Sequence, residues 1–239
     1  MSRLSTLALT VLISLGFAVS ALADQAAPAA GRQGRGAQAQ GGAPRPAGRP
    51  ALLFKEEWKQ NENNDEHPVT QQSIANPDLE LKLYGPSAKE IQLTGTANNE
   101  TNPIHVWTGM CTSPCAVAFR HKTNLADLSG LARIRWNTKM SGFHTVRPIV
   151  KLADGTWLIG DRAEGTATDW IVSEFNLSEV RWIRLDVARV VTTGSYVANP
   201  DLTKVDEIGF ADLMPGSGHG QGGWSDVAQF EVYGKAMPR

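Results

Sequence analysis

On either side of Ser141-Gly142 the chain alternates apolar and polar residues, and this double alternation over residues 127–152 leaves few folds open. In 132–138, Ile134 and Trp136 fall on one side while Arg133, Arg135 and Asn137 fall on the other. That period of two marks a half-buried strand. After the Ser-Gly turn, Val146, Pro148, Val150 and Leu152 share one face, and Arg147, Ile149 and Lys151 share the opposite one. The pair reads as a hairpin within an antiparallel sheet, one face making core and the other carrying cations.

The same signal recurs along the chain. Leu79, Leu81 and Leu83 alternate with Glu80, Lys82 and Tyr84 until Gly85-Pro86 stops them, and 91–93 repeats the pattern. Strands are expected at 105–108 and 116–119, flanking two cysteines. Asp154-Gly155 turns the chain from Leu152 into a strand over 156–159, a second hairpin. Residues 170–175 alternate again. In 182–187, Ile183, Leu185 and Val187 are placed inward, with Trp182, Arg184 and Asp186 outward. Residues 190–200 read as a long loop. Val205 is out of step with Ile208 and Phe210, which predicts an irregular strand start. A loop with five glycines, 214–224, holds His219 and Trp224, and a strand over 228–234 closes the domain. No stretch shows a capped helical period. Short strands punctuated by turns give an all-β, antiparallel two-sheet β-sandwich.

The amino terminus is different material. Arg3, an apolar run over 4–19 and Ala21-Leu22-Ala23 have the form of a secretory signal cleaved after Ala23, with no transmembrane segment remaining after cleavage. After Asp24, residues 25–50 are Ala, Gly, Gln, Pro and Arg, so 24–50 is a linker expected to be disordered and the folded domain is placed at 51–239. Of 23 Lys+Arg and 24 Asp+Glu, residues 51–239 keep 18 and 23, a net charge of −5. Such a balance argues against nucleic acid as a partner. Location outside the cytoplasm, periplasmic or secreted, makes a disulfide the expectation for Cys111 and Cys115, with Ser113-Pro114 turning the chain between them. So small a ring adds roughly 2 kcal/mol.

The segment Asp-Leu-Ser-Gly-Leu at 127–131 with its alternating strand, the Trp182 strand, Val-Asp-Glu-Ile-Gly-Phe at 205–210 and Phe-Glu-Val-Tyr-Gly at 230–234 resemble the galactose-binding-like jelly rolls that serve as carbohydrate-binding modules. The resemblance spans roughly residues 51–235. It implies a jelly-roll sandwich, a ligand in loops or on a concave face, and frequently a structural calcium, for which Asn63, Asn64, Asp65 and Glu66 are the nearest residues here. Length, export and β content are also similar to exported sandwich glycosidases, the family-16 glycoside hydrolases and the keto-disaccharide hydrolases. The alternating carboxylates of the family-16 motif do not occur in this sequence.

Seven tryptophans suit glycan recognition, since sugars present C–H faces to rings and hydroxyls to charged groups. Trp136 shares Ile134's face and is assigned to core. Trp182, Trp224 and Trp157 are the candidate stacking rings, and Arg135, Arg147, Arg184, Asp161, His144 and His219 the candidate polar contacts. A glycosidase needs two carboxyl groups across the scissile bond. Asp161, Glu174, Asp186, Asp212 and Glu231 supply candidates without a pattern that pairs them, and no nucleophile elbow accompanies the apolar strands. The expectation is therefore an exported carbohydrate-binding protein without cofactor; the alternatives are a glycosidic-bond hydrolase on the same fold and a protein-interaction module.

Overall fold

The computed structural model describes residues 48–239, so the signal and nearly all of the linker lie outside the described residues. Sixteen strands, numbered along the chain, form two sheets in which every pairing is antiparallel. The seven-stranded sheet runs β11 (Ala167–Asn176), β8 (Arg133–Ser141), β15 (Trp224–Tyr233), β5 (His105–Trp107), β4 (Gln92–Thr94), β2 (His67–Pro68), with β1 (Leu52–Glu56) also on β15. The nine-stranded sheet runs β13 (Val191–Val197), β12 (Trp182–Asp186), β10 (Trp157–Gly160), β9 (Val146–Leu152), β14 (Val205–Asp212), β6 (Cys115–His121), β3 (Leu79–Tyr84). There β7 (Asn124–Asp127) pairs with β14, and β16 (Lys235–Pro238) pairs with β7. This is the antiparallel two-sheet β-sandwich that the alternation predicts, and no helix among the described residues is long and apolar enough to cross a membrane.

The strands on either side of Ser141-Gly142 are both present, but they do not make the expected hairpin. β8 pairs with β11 and β15, whereas β9 pairs with β10 and β14 in the other sheet. The turn is a corner between sheets. Alternation reports which face of a strand is buried and carries no information about its neighbour. The second hairpin does form: Leu152 N donates to Thr156 O at 2.8 Å, and Asp154 Oδ1 accepts from Thr156 N at 2.8 Å. Within 190–200 the expected loop is mostly strand, because β13 pairs with β12 as an exposed edge too polar to show a buried face. The irregular start at Val205 is real, a register shift between Val205 and Glu207.

Between the sheets Trp136, Trp182, Phe119, Phe210 and Phe230 are fully buried. Phe230 lies 5.4 Å from Phe119 and 5.8 Å from Phe210, so rings from β15 meet rings from β6 and β14. Each such side chain contributes about 1.5–3 kcal/mol by leaving water. A second apolar cluster, Ala116, Ala118, Ile149, Ile159, Leu185, Val190 and Ala211, covers the outer face of the nine-stranded sheet.

Candidate functional site

Two sheet faces point away from the core, and they differ in kind. On the nine-stranded sheet, Tyr84 of β3 and Trp157 of β10 meet with ring centroids 4.8 Å apart. Three strands separate them, about 19 Å of flat sheet. Their contact therefore requires the sheet to curl, making this face a trough. Its floor is Ala116, Ala118, Gly209 and Ala211, where a Cβ on Gly209 would stand 1.9 Å from Val117 O. Val190, fully buried in the β12–β13 connection, closes the trough from the opposite edge: a Cβ on Gly85, just past β3, would lie 2.7 Å from its Cγ2. The φ of Val190 is 53°, a left-handed conformation that costs a β-branched residue roughly 1–2 kcal/mol and is offset by its burial.

Polar groups around the trough are committed as well. Tyr84 donates to Glu207 Oε2 at 2.6 Å, and Lys151 to Glu207 Oε1 at 2.9 Å. Burial and the Glu207 carboxylate push the Tyr84 hydroxyl well above its ordinary range. Arg147 donates to Gly160 O at 2.7 Å, burial lowering its guanidinium pKa. Asp161 accepts from Arg181 N at 2.9 Å and Nε at 2.6 Å; burial raises its pKa, but these bonds outweigh it and hold the carboxyl below the ordinary range. Of the expected ligand residues, Trp157, Arg147 and Asp161 thus share one face, already filled and paired by the protein's own side chains.

The outer face of the seven-stranded sheet is built otherwise. Asp226 of β15 stands opposite Lys139 of β8 and Trp107 of β5. Lys139 Nζ lies 6.0 Å from the ring of Trp170 on β11 and 5.7 Å from that of Trp224 at the head of β15. Across four neighbouring strands, three indoles surround one lysine and one carboxyl. His105 sits beneath, its ring 5.1 Å from Trp170. Its Nδ1 lies 2.7 Å from Pro103 O and so carries the proton, which leaves Nε2 facing Asp226 Oδ1 at 3.6 Å. His219 stacks on Trp107 at 4.9 Å and reaches Glu66 Oε1 at 3.3 Å.

Asp226 is 5% exposed, and its Oδ1 has no hydrogen-bond partner among the described residues; nor has Asn137 Oδ1 on the same face. Burial pushes the Asp226 carboxyl up to about 8, against the pull of Lys139. Burial also takes His105 down to about 4, helped by Lys139 and opposed by Pro103 O. Between those values neither group is charged, so the His105–Asp226 contact is a neutral pair. Arg135, expected as a ligand contact on this face, is held by Glu231 at 3.1 Å, which also accepts from Gln229 at 2.6 Å and Tyr233 at 2.7 Å.

His144 is not at a surface. It is buried at Asp212, Nδ1 to Oδ2 2.6 Å, and the same oxygen accepts from Ser225 Oγ at 2.8 Å and Thr108 Oγ1 at 2.9 Å. Ser225 and His144 each bond the aspartate and not one another, so the knot is a fastening between the sheets and no nucleophile relay. Trp182 is 1% exposed and belongs to the core, contrary to the outward placement. The nine-stranded sheet is apolar on both faces, so Ile183 and Leu185 cover the trough while Trp182 turns inward. Beside it a cavity of about 580 Å³ opens between Leu128, Val180, Tyr196 and Leu202. Arg184 is exposed and clear of the indole face.

Cys111 and Cys115 are free, buried thiols, not the expected disulfide. The Cys115 thiol donates to the Cys111 sulfur, and that bond, with burial, raises the Cys115 pKa well above the usual range. Near the residues closest to a calcium loop, Asn61 Oδ1 accepts from the backbone N–H groups of Asn63 and Asp65, and Glu66 faces His219; the described residues hold no cluster of three His, Cys, Asp or Glu. The residues that frame the indole face and were not singled out from sequence are Trp107, Trp170, Lys139, Asp226 and His105. Lys139 was within reach, since it continues the Arg133, Arg135, Asn137 alternation.

No protein-family model matches the sequence, and no curated protein does. Among solved structures, the chain is similar to the family 11 carbohydrate-binding module of the cellulosomal cellulase Lic26A-Cel5E of Clostridium thermocellum, with 16% identity over 72% of this chain and 95% of that one and a TM-score of 0.43. It is also similar to TmCBM61 in complex with β-1,4-galactotriose (12% identity, 65% and 88% covered, TM-score 0.33) and to the xylan-binding module CBM15 (12%, 73% and 99%, 0.36).

Proposed function

We propose that the protein binds a carbohydrate noncovalently on the outer face of the seven-stranded sheet, between the part-exposed rings of Trp170 and Trp224, with Trp107 buried under His219. The observation that carries this reading is the pair of indoles, Trp170 and Trp224, around Lys139, beside an almost buried Asp226 whose Oδ1 lacks a partner among the described residues. Rings take the C–H face of a sugar, and the protonated carboxyl and the ammonium take its oxygens. We further propose export, with cleavage after Ala23, which would present this face to extracytoplasmic glycans. The test is incubation with a panel of soluble and insoluble polysaccharides, scoring retained protein and released sugar in the same tubes. Retention without released sugar, lost in Trp170→Ala and Trp224→Ala, supports binding; retention that survives both substitutions refutes this face as the site.

One observation favours a second reading, a glycosidic-bond hydrolase. A carboxyl protonated up to about pH 8 has the form of a general acid. If Asp226 served so, sugar would be released by the native protein and not by Asp226→Asn. Binding without release in both would leave the first reading alone.

A further inference from the structure

Lys139 is the unusual cation of the indole face. Arg133 lies 3.0 Å from Glu174 and Arg135 3.1 Å from Glu231, whereas Lys139 has no carboxylate within ion-pair distance among the described residues. The nearest acid across the strand register is Asp226. Burial keeps that carboxyl protonated at neutral pH, so it does not cancel the ammonium. Of the other ionisable groups here, His105 is neutral above about pH 4 and a cation below it, never a counter-ion, and Glu66 faces His219. Lys139 is only half exposed, its Nζ 6.0 Å from the ring of Trp170 and 5.7 Å from that of Trp224. A positive charge held in place, partly dehydrated and without a counter-ion is a receptor for an anion.

We propose that the glycan bound on this face carries an anionic substituent, a carboxylate or a sulfate ester, received by Lys139 between Trp170 and Trp224. This rests on the glycan reading above. A lysine ammonium is a compact point charge with three rotatable donors and accepts either anion. The folded domain's net charge of −5 repels polyanions at long range, so the preference arises at short range, at this one contact. Removing the contact should therefore reverse the preference and not merely weaken it.

The experiment measures affinity for three oligosaccharides of equal length: an oligogalacturonate, a sulfated galactan fragment and a neutral galactan fragment. They are titrated into the native protein, Lys139→Gln and Trp170→Ala. At least one acidic ligand should bind the native protein about tenfold more tightly than the neutral one, a difference of about 1.4 kcal/mol. The two acidic arms decide between carboxylate and sulfate. Lys139→Gln, which keeps a donor but removes the charge, should weaken acidic binding far more than neutral binding and drop acidic affinity below neutral; Trp170→Ala should weaken all three. Equal native affinity for neutral and acidic ligands, or an equal loss for both in Lys139→Gln, overturns the inference while leaving glycan binding intact. Failure of the native protein to bind any of a wider neutral and acidic panel overturns both.

Discussion

The two outward faces of the sandwich carry similar chemistry to opposite ends. Each has tryptophan, lysine and a buried or half-buried carboxyl, and a composition count would not separate them. On the nine-stranded sheet every such group has a partner in the protein: Trp157 has Tyr84, Lys151 has Glu207, and Arg147 has the Gly160 carbonyl. On the seven-stranded sheet Asp226 Oδ1 and Asn137 Oδ1 have none among the described residues, and Lys139 has rings but no counter-ion among them. Leaving a buried polar atom unpaired costs about 1–3 kcal/mol, so a face that keeps two is less stable than it needs to be. Stability has been completed on one side and withheld on the other, and the side where it is withheld is the place to look for function.

That contrast can be attacked first at the trough floor. Gly209→Val drives a side chain into the Val117 carbonyl and should cost about 3 kcal/mol or more, read as a lower denaturation midpoint, with glycan retention per folded molecule unchanged. Coupled loss of retention would mean that the trough takes part in binding.

Next in size is the pH response of the neutral pair. Asp226 has a raised folded pKa, so its contribution to stability is complete in acid and is lost as pH rises through about 8. His105 has a depressed one, so its contribution is complete above the ordinary histidine value and is lost as pH falls through about 4. Between pH 4 and about 6.5 the two slopes oppose each other, while from about 6.5 to 8 only the Asp226 slope remains, a fall of roughly 2 kcal/mol. Asp226→Asn should remove that fall in urea titrations; an unchanged alkaline slope would show that Asp226 does not control it.

The smallest expected effect lies at the trough's rim. Arg181 is exposed and, among the described residues, pairs with Asp161 and the ring of Tyr196, so Arg181→Ala should leave both denaturation midpoint and retention within experimental error. A measurable loss of retention would move the binding face toward Tyr196.

The fold was legible because alternation is a direct consequence of one buried face, and Ile134 with Trp136 and Val146 with Val150 show it plainly. What stayed hidden was which strand neighbours which: the chain passes between sheets at Ser141–His144, and nothing local distinguishes a corner from a hairpin. The same limit explains Trp182, whose strand is apolar on both faces, so counting Ile183 and Leu185 as core inverted the assignment. The binding candidates divided for a related reason. Trp224 sits on the indole face, but Trp107, Trp170, His105 and Asp226 join it only through β11, β15 and β5, elements distant in sequence. An unpaired carboxylate oxygen is a property of tertiary packing, which a linear pattern does not encode.

The most direct test sets one tryptophan from each face against the other in the same retention assay. Trp157→Ala should lower stability by roughly 2–3 kcal/mol, less than a fully buried ring would cost, and retain glycan as the native protein does. Trp224→Ala should lose at least about tenfold in glycan affinity with a smaller effect on unfolding. The reverse outcome, retention lost with Trp157 and kept without Trp224, would place the ligand in the trough and contradict the division of labour between the two faces.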